Sequence, residues 1–220
     1  MAAINIKGTI VSDEDAWVYD FFGVSHTCPL TVAKALEEAN GEDVDIDINS
    51  GGGSVFAGSE IYSAIRGYKG NVNIHVVGLA ASAASVIMCA GHSDISPTAQ
   101  VMVHNVSSCA CGDYRDMDHM SEVLKKANEA IASAYVAKTG MSKEEALALM
   151  DHETWLTASD AVEKGLCDEI TGSNNTNSVD FAQSLVASAS GVLPQEVINK
   201  YQEEKQGLLN EIHALETMEV

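Results

Sequence analysis

The chain has 220 residues, of which 46% are apolar and 20% charged, a composition typical of a globular protein and not of a disordered one. Its 32 acidic and 12 basic residues give a formal charge of −20, which repels phosphate backbones and anionic lipids, so we expect neither nucleic acid nor membrane as a partner. The first residues lack a signal peptide pattern, and the longest apolar run (78–91) is shorter than the ~20 residues that span a bilayer, so we expect a cytoplasmic protein.

Strands and helices alternate along the first half of the chain. "INIKGTI" (4–10) and "DVDIDINS" (43–50) place an apolar residue at every second position, which predicts strands. Between them, a helix is predicted from Pro29 to Gly41, two residues typical of a helix start and a helix end. Three glycines at 51–53 end the second strand. There follow, in order, a helix at 54–68, a strand at 71–78, a helix at 78–91, and a turn with a strand at 96–105.

The second half is mainly helical. A long helix is predicted at 114–139, a helix with a serine–glutamate capping box at 142–151, a short helix at 159–165 and a last strand at 166–170. We therefore predict an α/β domain over residues 1–171. Residues 172–220 form a second region, a polar linker followed by an amphipathic helical tail whose apolar stripe is Val197, Tyr201, Leu208, Ile212 and Leu215.

Two of the strand-to-helix turns have the composition of a reactive site. In α/β folds, ligands and catalytic groups collect at the carboxyl ends of strands. One such turn contains the glycines 51–53, and the other is "GLAAS" (78–82), where small residues surround Ser82. A serine becomes a nucleophile when a base takes its proton and N–H groups stabilise the oxyanion that forms. By itself, the turn is far more typical of a serine used for packing than of a nucleophile, so its context decides.

Four blocks of the sequence supply that context. They are "INSGGGSVFAG" (48–58), "GLAASAASVIMCAG" (78–91), "VMVHN" (101–105) and "ETWLTASDAVEKGLCDEI" (153–170). Together and in this order they resemble the proteolytic subunit of the Clp protease, the ClpP family, over about residues 1–171, and most closely its divergent phage and prophage members. The resemblance implies a crotonase-like, ClpP-like spiral of repeated ββα units with a long handle helix. It also implies a serine endopeptidase.

The resemblance assigns roles to individual residues. Ser82 falls on the nucleophile of the family and His104 on its general base. The backbone N–H groups of Gly53 and Ala83 correspond to the oxyanion hole. Gly51 stands where the family usually has proline, and we expect this change to loosen the turn without removing an N–H group.

The acidic member of the triad is the main departure from the family. Glu153 aligns with the position where the family has aspartate, and Asp151 is the competing candidate two residues earlier. A carboxylate in this role accepts a hydrogen bond from the imidazole and holds it in the correct tautomer. The register favours Glu153, although its extra methylene moves the carboxylate by about 1.5 Å unless the backbone adjusts.

Other residues of reactive type are assigned structural roles. Ser85 lies one turn after Ser82 and is expected to pack within a helix, and His75 lies in an apolar strand. Cys109 and Cys111 follow His104 but lack the second ligand pair of a typical zinc site. The five cysteines are scattered and odd in number, which argues against a disulfide framework. We expect no metal and no organic cofactor.

The resemblance also implies an assembly. Clp proteolytic subunits form heptameric rings that stack face to face into a tetradecamer, and a separate AAA+ ATPase feeds them unfolded polypeptides. This sequence has no P-loop motif of its own, which is consistent with a separate ATPase. The stripe of the 114–139 helix would then contact another subunit; it consists of Met117, Met120, Leu124, Ala127 and Ile131. The expected substrates are unfolded proteins or phage capsid and scaffold proteins, in the cytoplasm of a bacterium or of a phage-infected host.

Two alternatives from other functional classes stay open. The crotonase fold also hosts enzymes that act on coenzyme A thioesters, in which the glycine turns bind an enolate and Ser82 is incidental. The chain is alternatively an inactive assembly subunit, a reading that the exchange of aspartate for Glu153 favours.

Overall fold

The computed structural model describes residues 2–172, so the predicted linker and tail at 172–220 lie outside it except for Gly172. No helix within that range is long and apolar enough to cross a membrane. The elements in chain order are β1 Ala2–Ile10, α1 Ala16–Phe22, β2 His26–Thr27, α2 Pro29–Ala39, β3 Val44–Gly53, α3 Val55–Arg66, β4 Val72–Ala81, α4 Ala83–Met88, β5 His92–Ile95, β6 Gln100–Val103, α5 Tyr114–Thr139, α6 Lys143–Asp151, β7 Thr154–Thr157, α7 Ala158–Glu163 and β8 Glu169–Ile170.

One mixed sheet organises these elements. Its main path runs β2-β1-β3-β4-β5-β8, and every pair on that path is parallel. Parallel neighbours need crossover connections, which helices such as α2, α3 and α4 provide. The predicted α/β class is therefore confirmed.

Strand β4 is shared between two neighbours. Its first half pairs with β5 from Asn73 to Val76, and its last residues pair with β6, where Ala81 lies opposite Met102. Strand β6 in turn pairs antiparallel with β7. Because β4 and β6 run in the same direction, their carboxyl ends lie side by side, and the residues that follow each strand are neighbours in space.

The core lies between the sheet and its helices. The predicted inward positions of β3, Val44, Ile46 and Ile48, are fully buried, as are Ile61 of α3 and Ile74 of β4. Burial of branched aliphatic side chains on a two-residue period fixes the register of the strands, since a slip by one position would expose the whole set. The strand ends are therefore held on a rigid scaffold.

Several predicted boundaries differ from the structure; the last strand, for example, is Glu169–Ile170 and not 166–170. Strand β3 continues through the glycines to Gly53, and β4 continues to Ala81, so the helix predicted at 78–91 is the shorter α4. Small residues have weak local preferences, so backbone pairing decides their conformation: β1 extends β3, and β6 extends β4. The structure also contains α1, β2, β5 and β7, which local patterns did not indicate.

Helix α5 has the predicted bounds and two different halves. A capping box of Asp113 and Asp116 begins it, and Gly140 ends it at φ 74. Its buried residues are Ile131, Ala132, Ala134 and Tyr135, all in the last third. The expectation that Ile131 contacts another subunit is therefore wrong, because the end of the helix packs this side chain into the core. The earlier turns carry exposed apolar side chains, with Tyr114 75%, Met117 40% and Val123 45% exposed. The first half of α5 thus stands clear of the core.

Candidate active site

Ser82 lies between β4 and α4 in an unusual backbone conformation. Its φ of 55 and ψ of −125 lie in a region that non-glycine residues rarely adopt. Such a conformation costs on the order of 1–3 kcal/mol and persists only when the surroundings enforce it. One constraint is the hydrogen bond from the Ser82 N–H to the carbonyl of Met102 in β6, at 2.9 Å.

His104 directly follows β6 and contacts this serine. Its Nε2 lies 2.8 Å from Ser82 Oγ, although the two residues are 22 positions apart. The parallel pairing of β4 with β6 explains this contact, because it places the ends of the two strands together. With the proton on Nδ1, Nε2 accepts the hydrogen bond from the serine hydroxyl, which is the arrangement that a general base requires.

The glycine turn packs directly against this serine. Gly52 has φ 93, and a Cβ placed there would lie 2.7 Å from the Ala81 carbonyl oxygen and 2.7 Å from Ser82 Cβ. Gly53 has φ 151, and a Cβ there would lie 2.1 Å from the Ile10 carbonyl oxygen. Both positions therefore exclude a side chain, while Gly51 has open space around its Cβ position.

Ser50 braces this turn, and sequence patterns did not single it out. It is 2% exposed. Its hydroxyl donates to the Gly8 carbonyl at 2.6 Å and accepts the Gly52 N–H at 3.1 Å. The sequence offered one indication of its role: Ser50 lies between an apolar strand and a glycine turn, and a hydroxyl buried there needs hydrogen-bond partners.

A small cavity opens beside Ser82 and His104. Its volume is about 80 Å³. Gly53 and Ala83 border it, so the four residues predicted to form the nucleophile, base and oxyanion hole surround one space. The remaining lining is mostly small or apolar: Val55, Gly58, Ser59, Val86, Val106, Ser107, Ile131 and Tyr135.

The two candidate acidic residues have other partners. Asp151 Oδ1 accepts a hydrogen bond from Asn105 Nδ2 at 2.7 Å. Glu153 Oε1 lies 3.4 Å from Trp155 Nε1, and Glu153 has a left-handed φ of 46. Within residues 2–172, no carboxylate forms a hydrogen bond with His104. The structure thus joins Ser82 to His104 and leaves the acidic member apart.

The strand register nevertheless places the backbone of Glu153 near His104. Val103 pairs with Thr154 in the antiparallel β6–β7 ladder. This is the last pair that the ladder contains, and His104 and Glu153 are the residues that directly flank it. Asp151 lies at the end of α6, outside the ladder.

The residues assigned structural roles are also located. Ser85 is fully buried in α4, and His75 bonds Asp94 Oδ2 through Nδ1 at 2.7 Å on the sheet. Cys109 and Cys111 are exposed. In the part of the chain that the structure describes, no group of three or more His, Cys, Asp or Glu side chains is arranged to hold a metal ion.

Comparison with known proteins gives a consistent result. The Clp protease family model matches residues 30–174. An ATP-dependent Clp protease proteolytic subunit from Bacteroides fragilis is 33% identical over 133 residues, covering 59% of this chain and 64% of that protein. The proteolytic subunit 1 from Chlamydia muridarum is 37% identical over 141 residues, covering 61% of this chain and 73% of that protein. The match thus spans less than two thirds of the Bacteroides relative.

A solved structure shares the fold. A ClpP1 point mutant from Listeria monocytogenes superposes with a TM-score of 0.64 at 24% identity, covering 77% of this chain and 90% of that one. The predicted ClpP-like fold, a parallel sheet with a long handle helix, is confirmed by this likeness.

Proposed function

The chain belongs to the Clp protease family, and on that premise we propose that it is a serine endopeptidase in which Ser82 is the nucleophile and His104 the general base. The observation that carries the proposal is the 2.8 Å hydrogen bond between His104 Nε2 and Ser82 Oγ beside a cavity. The backbone conformation of Ser82 supports it, because enforced strain of this kind clusters at active sites.

The geometry supports the following sequence of steps. Ser82 Oγ attacks the carbonyl carbon of the scissile peptide while His104 Nε2 takes its proton. The N–H groups of Gly53 and Ala83 stabilise the oxyanion of the tetrahedral intermediate. His104 then donates the proton to the leaving amine, which breaks the C–N bond and leaves an ester on Ser82. A water molecule, deprotonated by His104, then attacks the ester carbonyl carbon. The bond from this carbon to Ser82 Oγ breaks, His104 returns the proton to Oγ, and the carboxylic acid product leaves.

Glu153 is the acidic member in this proposal. Its position directly before Thr154, which pairs with the residue before His104, supports it, and Asp151 is already bonded to Asn105. A turn of the Glu153 side chain away from Trp155 would be needed to accept a bond from His104 Nδ1. The bond to be broken is exposed and 3.4 Å long, so it opposes this motion weakly.

The assembly and substrates belong to the same proposal. We infer heptameric rings stacked through the exposed half of α5, which enclose the active sites and receive unfolded polypeptide from a separate AAA+ ATPase. The exposed apolar side chains of Tyr114, Met117 and Val123 support a protein contact there. Phage capsid or scaffold proteins are the proposed substrates if the chain is a phage-type member, and the cytoplasm is its proposed location.

A fluorophosphonate probe tests the proposed chemistry. The probe should label wild-type protein at Ser82, and peptide mapping should locate it there. Labelling should disappear in Ser82→Ala and His104→Ala but persist in His119→Ala, a matched control because His119 is exposed on α5. A coenzyme A thioester enzyme or an inert subunit would leave Ser82 unlabelled in the wild type, and this result would refute the peptidase.

A further inference from the structure

Ser85 and Tyr135 form a buried hydrogen-bonded pair behind Ser82. Ser85 is 0% and Tyr135 2% exposed. Their hydroxyl oxygens are 2.8 Å apart, although the residues are 50 positions apart, in α4 and α5. Ser85 Oγ also donates to the carbonyl oxygen of Ser82 at 2.7 Å. The three groups therefore form a chain from α5 to the backbone of the proposed nucleophile.

The donor and the acceptor of each hydrogen bond in this series are defined. A carbonyl oxygen only accepts, so the single hydroxyl proton of Ser85 is used toward Ser82. Tyr135 must then donate its proton to Ser85 Oγ. Burial raises the pKa of the Tyr135 phenol, so it keeps this proton at neutral pH.

The Ser82 carbonyl is tied to the proposed oxyanion hole by covalent geometry. This carbonyl and the Ala83 N–H belong to one planar trans peptide and point in opposite directions. Fixing the direction of the carbonyl therefore fixes the direction of the N–H. The same carbonyl also accepts the Ser85 N–H at 3.0 Å and the Val86 N–H at 3.4 Å.

We propose that Ser85 and Tyr135 are positioning residues that hold the Ser82–Ala83 peptide plane, and so aim the Ala83 N–H at the oxyanion. The role of this N–H rests on the function proposed above, whereas the effect on the peptide plane does not. Without the two hydroxyls, the left-handed conformation of Ser82 loses a constraint that enforces it. The hydrogen bond between Ser82 and His104 involves neither the Ser85 nor the Tyr135 hydroxyl.

Amide hydrogen exchange of the segment 82–88, followed by mass spectrometry, tests the positioning directly. Tyr135→Phe removes only the phenolic oxygen, and Ser85→Ala removes only the serine hydroxyl. Each should speed exchange in this segment about tenfold, the effect of one neutral hydrogen bond. Ser93→Ala is the control, because Ser93 is also fully buried and its hydroxyl also bonds a backbone carbonyl, that of Leu166. It should leave exchange at 82–88 unchanged.

Kinetics test the link to the oxyanion. For a peptide substrate, kcat should fall about tenfold in Ser85→Ala with KM and the pH optimum nearly unchanged, because the lost interaction acts in the transition state. The double variant with Ser85→Ala and Tyr135→Phe should be no slower than Ser85→Ala alone, since both substitutions interrupt the same chain of hydrogen bonds. A loss of folding would lower the number of active sites and would leave kcat per labelled site unchanged.

The outcomes separate the two proposals. Exchange at 82–88 that matches the Ser93→Ala control in both variants would overturn the positioning role. Fast exchange with normal kcat per site would overturn its link to the oxyanion. A wild-type protein that fluorophosphonate does not label would refute the peptidase, and the exchange measurement would still decide whether the two hydroxyls hold the peptide plane.

Discussion

At the scale of single residues, the site depends on positions that allow no alternative side chain. Gly52 places its Cα against Ala81 and Ser82, and any Cβ would collide with backbone at 2.7 Å. Gly51 has no such restriction, because the space around its Cβ position is open. The proposed oxyanion N–H of Gly53 therefore depends on glycine at positions 52 and 53 more than on the residue before them.

The choice between Glu153 and Asp151 is decided at this scale. Glu153→Gln should lower kcat/KM by roughly 10²–10⁴ if Glu153 orients the imidazole, because the neutral amide favours the wrong tautomer. Asp151→Asn should lower it far less, since Asp151 is bonded to Asn105. Steady-state hydrolysis of a fluorogenic peptide measures both. The reverse order of effects would assign the role to Asp151, and two small effects would mean that the serine and histidine act as a dyad.

At the scale of secondary structure, β4 is the strand that pairs with three others. It pairs with β3 along its length, with β5 in its first half and with β6 at its end. On the solvent-facing side of β4, the side chain of His75 connects β4 to β3 and β5. Its Nδ1 lies 2.7 Å from Asp94 of β5, and its Nε2 lies 3.6 Å from Asp45 of β3. One imidazole therefore links β4, the strand that precedes Ser82, to both β3 and β5.

This bridge predicts a pH dependence of stability. Burial lowers the pKa of His75, but hydrogen bonds and charges from Asp94 and Asp45 outweigh it, and the net pKa is raised above 6.5. The stabilisation is therefore complete below about pH 6.5 and is lost as the pH rises through the folded-state pKa. The difference in unfolding free energy between wild type and His75→Asn should be largest near pH 6 and shrink toward pH 8.

Urea unfolding at fixed protein concentration measures this difference. His119→Asn is the control for the loss of an imidazole, because His119 is exposed on α5 and lies outside the contact of His75 with Asp45 and Asp94. A His75→Asn difference that is constant or grows with pH would show that the bridge does not contribute as a charged pair.

At the scale of the whole molecule, charge and exposed apolar surface act in opposite directions. A formal charge of −20 opposes association, so any contact between copies needs apolar surface to overcome it. The first half of α5 offers such a surface, with Met117 40% and Val123 45% exposed. Burial of apolar area contributes roughly 25 cal/mol per Å², which favours covering these residues in an assembly.

Light scattering after size exclusion tests the assembly. Wild-type protein should have a mass many times that of the 23.3 kDa chain. Met117→Glu and Leu124→Glu place charges on the stripe of α5 and should lower the mass, since an unpaired buried charge opposes association. Glu122→Lys, on the opposite side of the helix, is the matched control and should keep the wild-type mass. A wild-type mass close to one or two chains would contradict the ring proposal.

The sequence by itself determined much of the local structure and the family. The two-residue period in β3, the capping box of α6 and the order of four motifs are properties of neighbouring residues, and they predicted those elements and the ClpP-like fold. The motifs also singled out Ser82 and His104, whose side chains prove to be hydrogen-bonded.

The tertiary structure decided what depends on distant pairing. Strand β4 ends at Ala81 because β6 pairs with it, and Ser82 adopts a strained conformation because Met102, Ser85 and the glycine turn surround it. Ser85 has a hydrogen-bonded role beside Tyr135 that helical packing alone did not suggest. The sequence likewise did not predict the hydrogen-bond partners of Asp151 and Glu153, which are Asn105 and Trp155. A local pattern reports which residues are close along the chain, whereas the direction of a peptide plane or a carboxylate depends on partners tens of residues away.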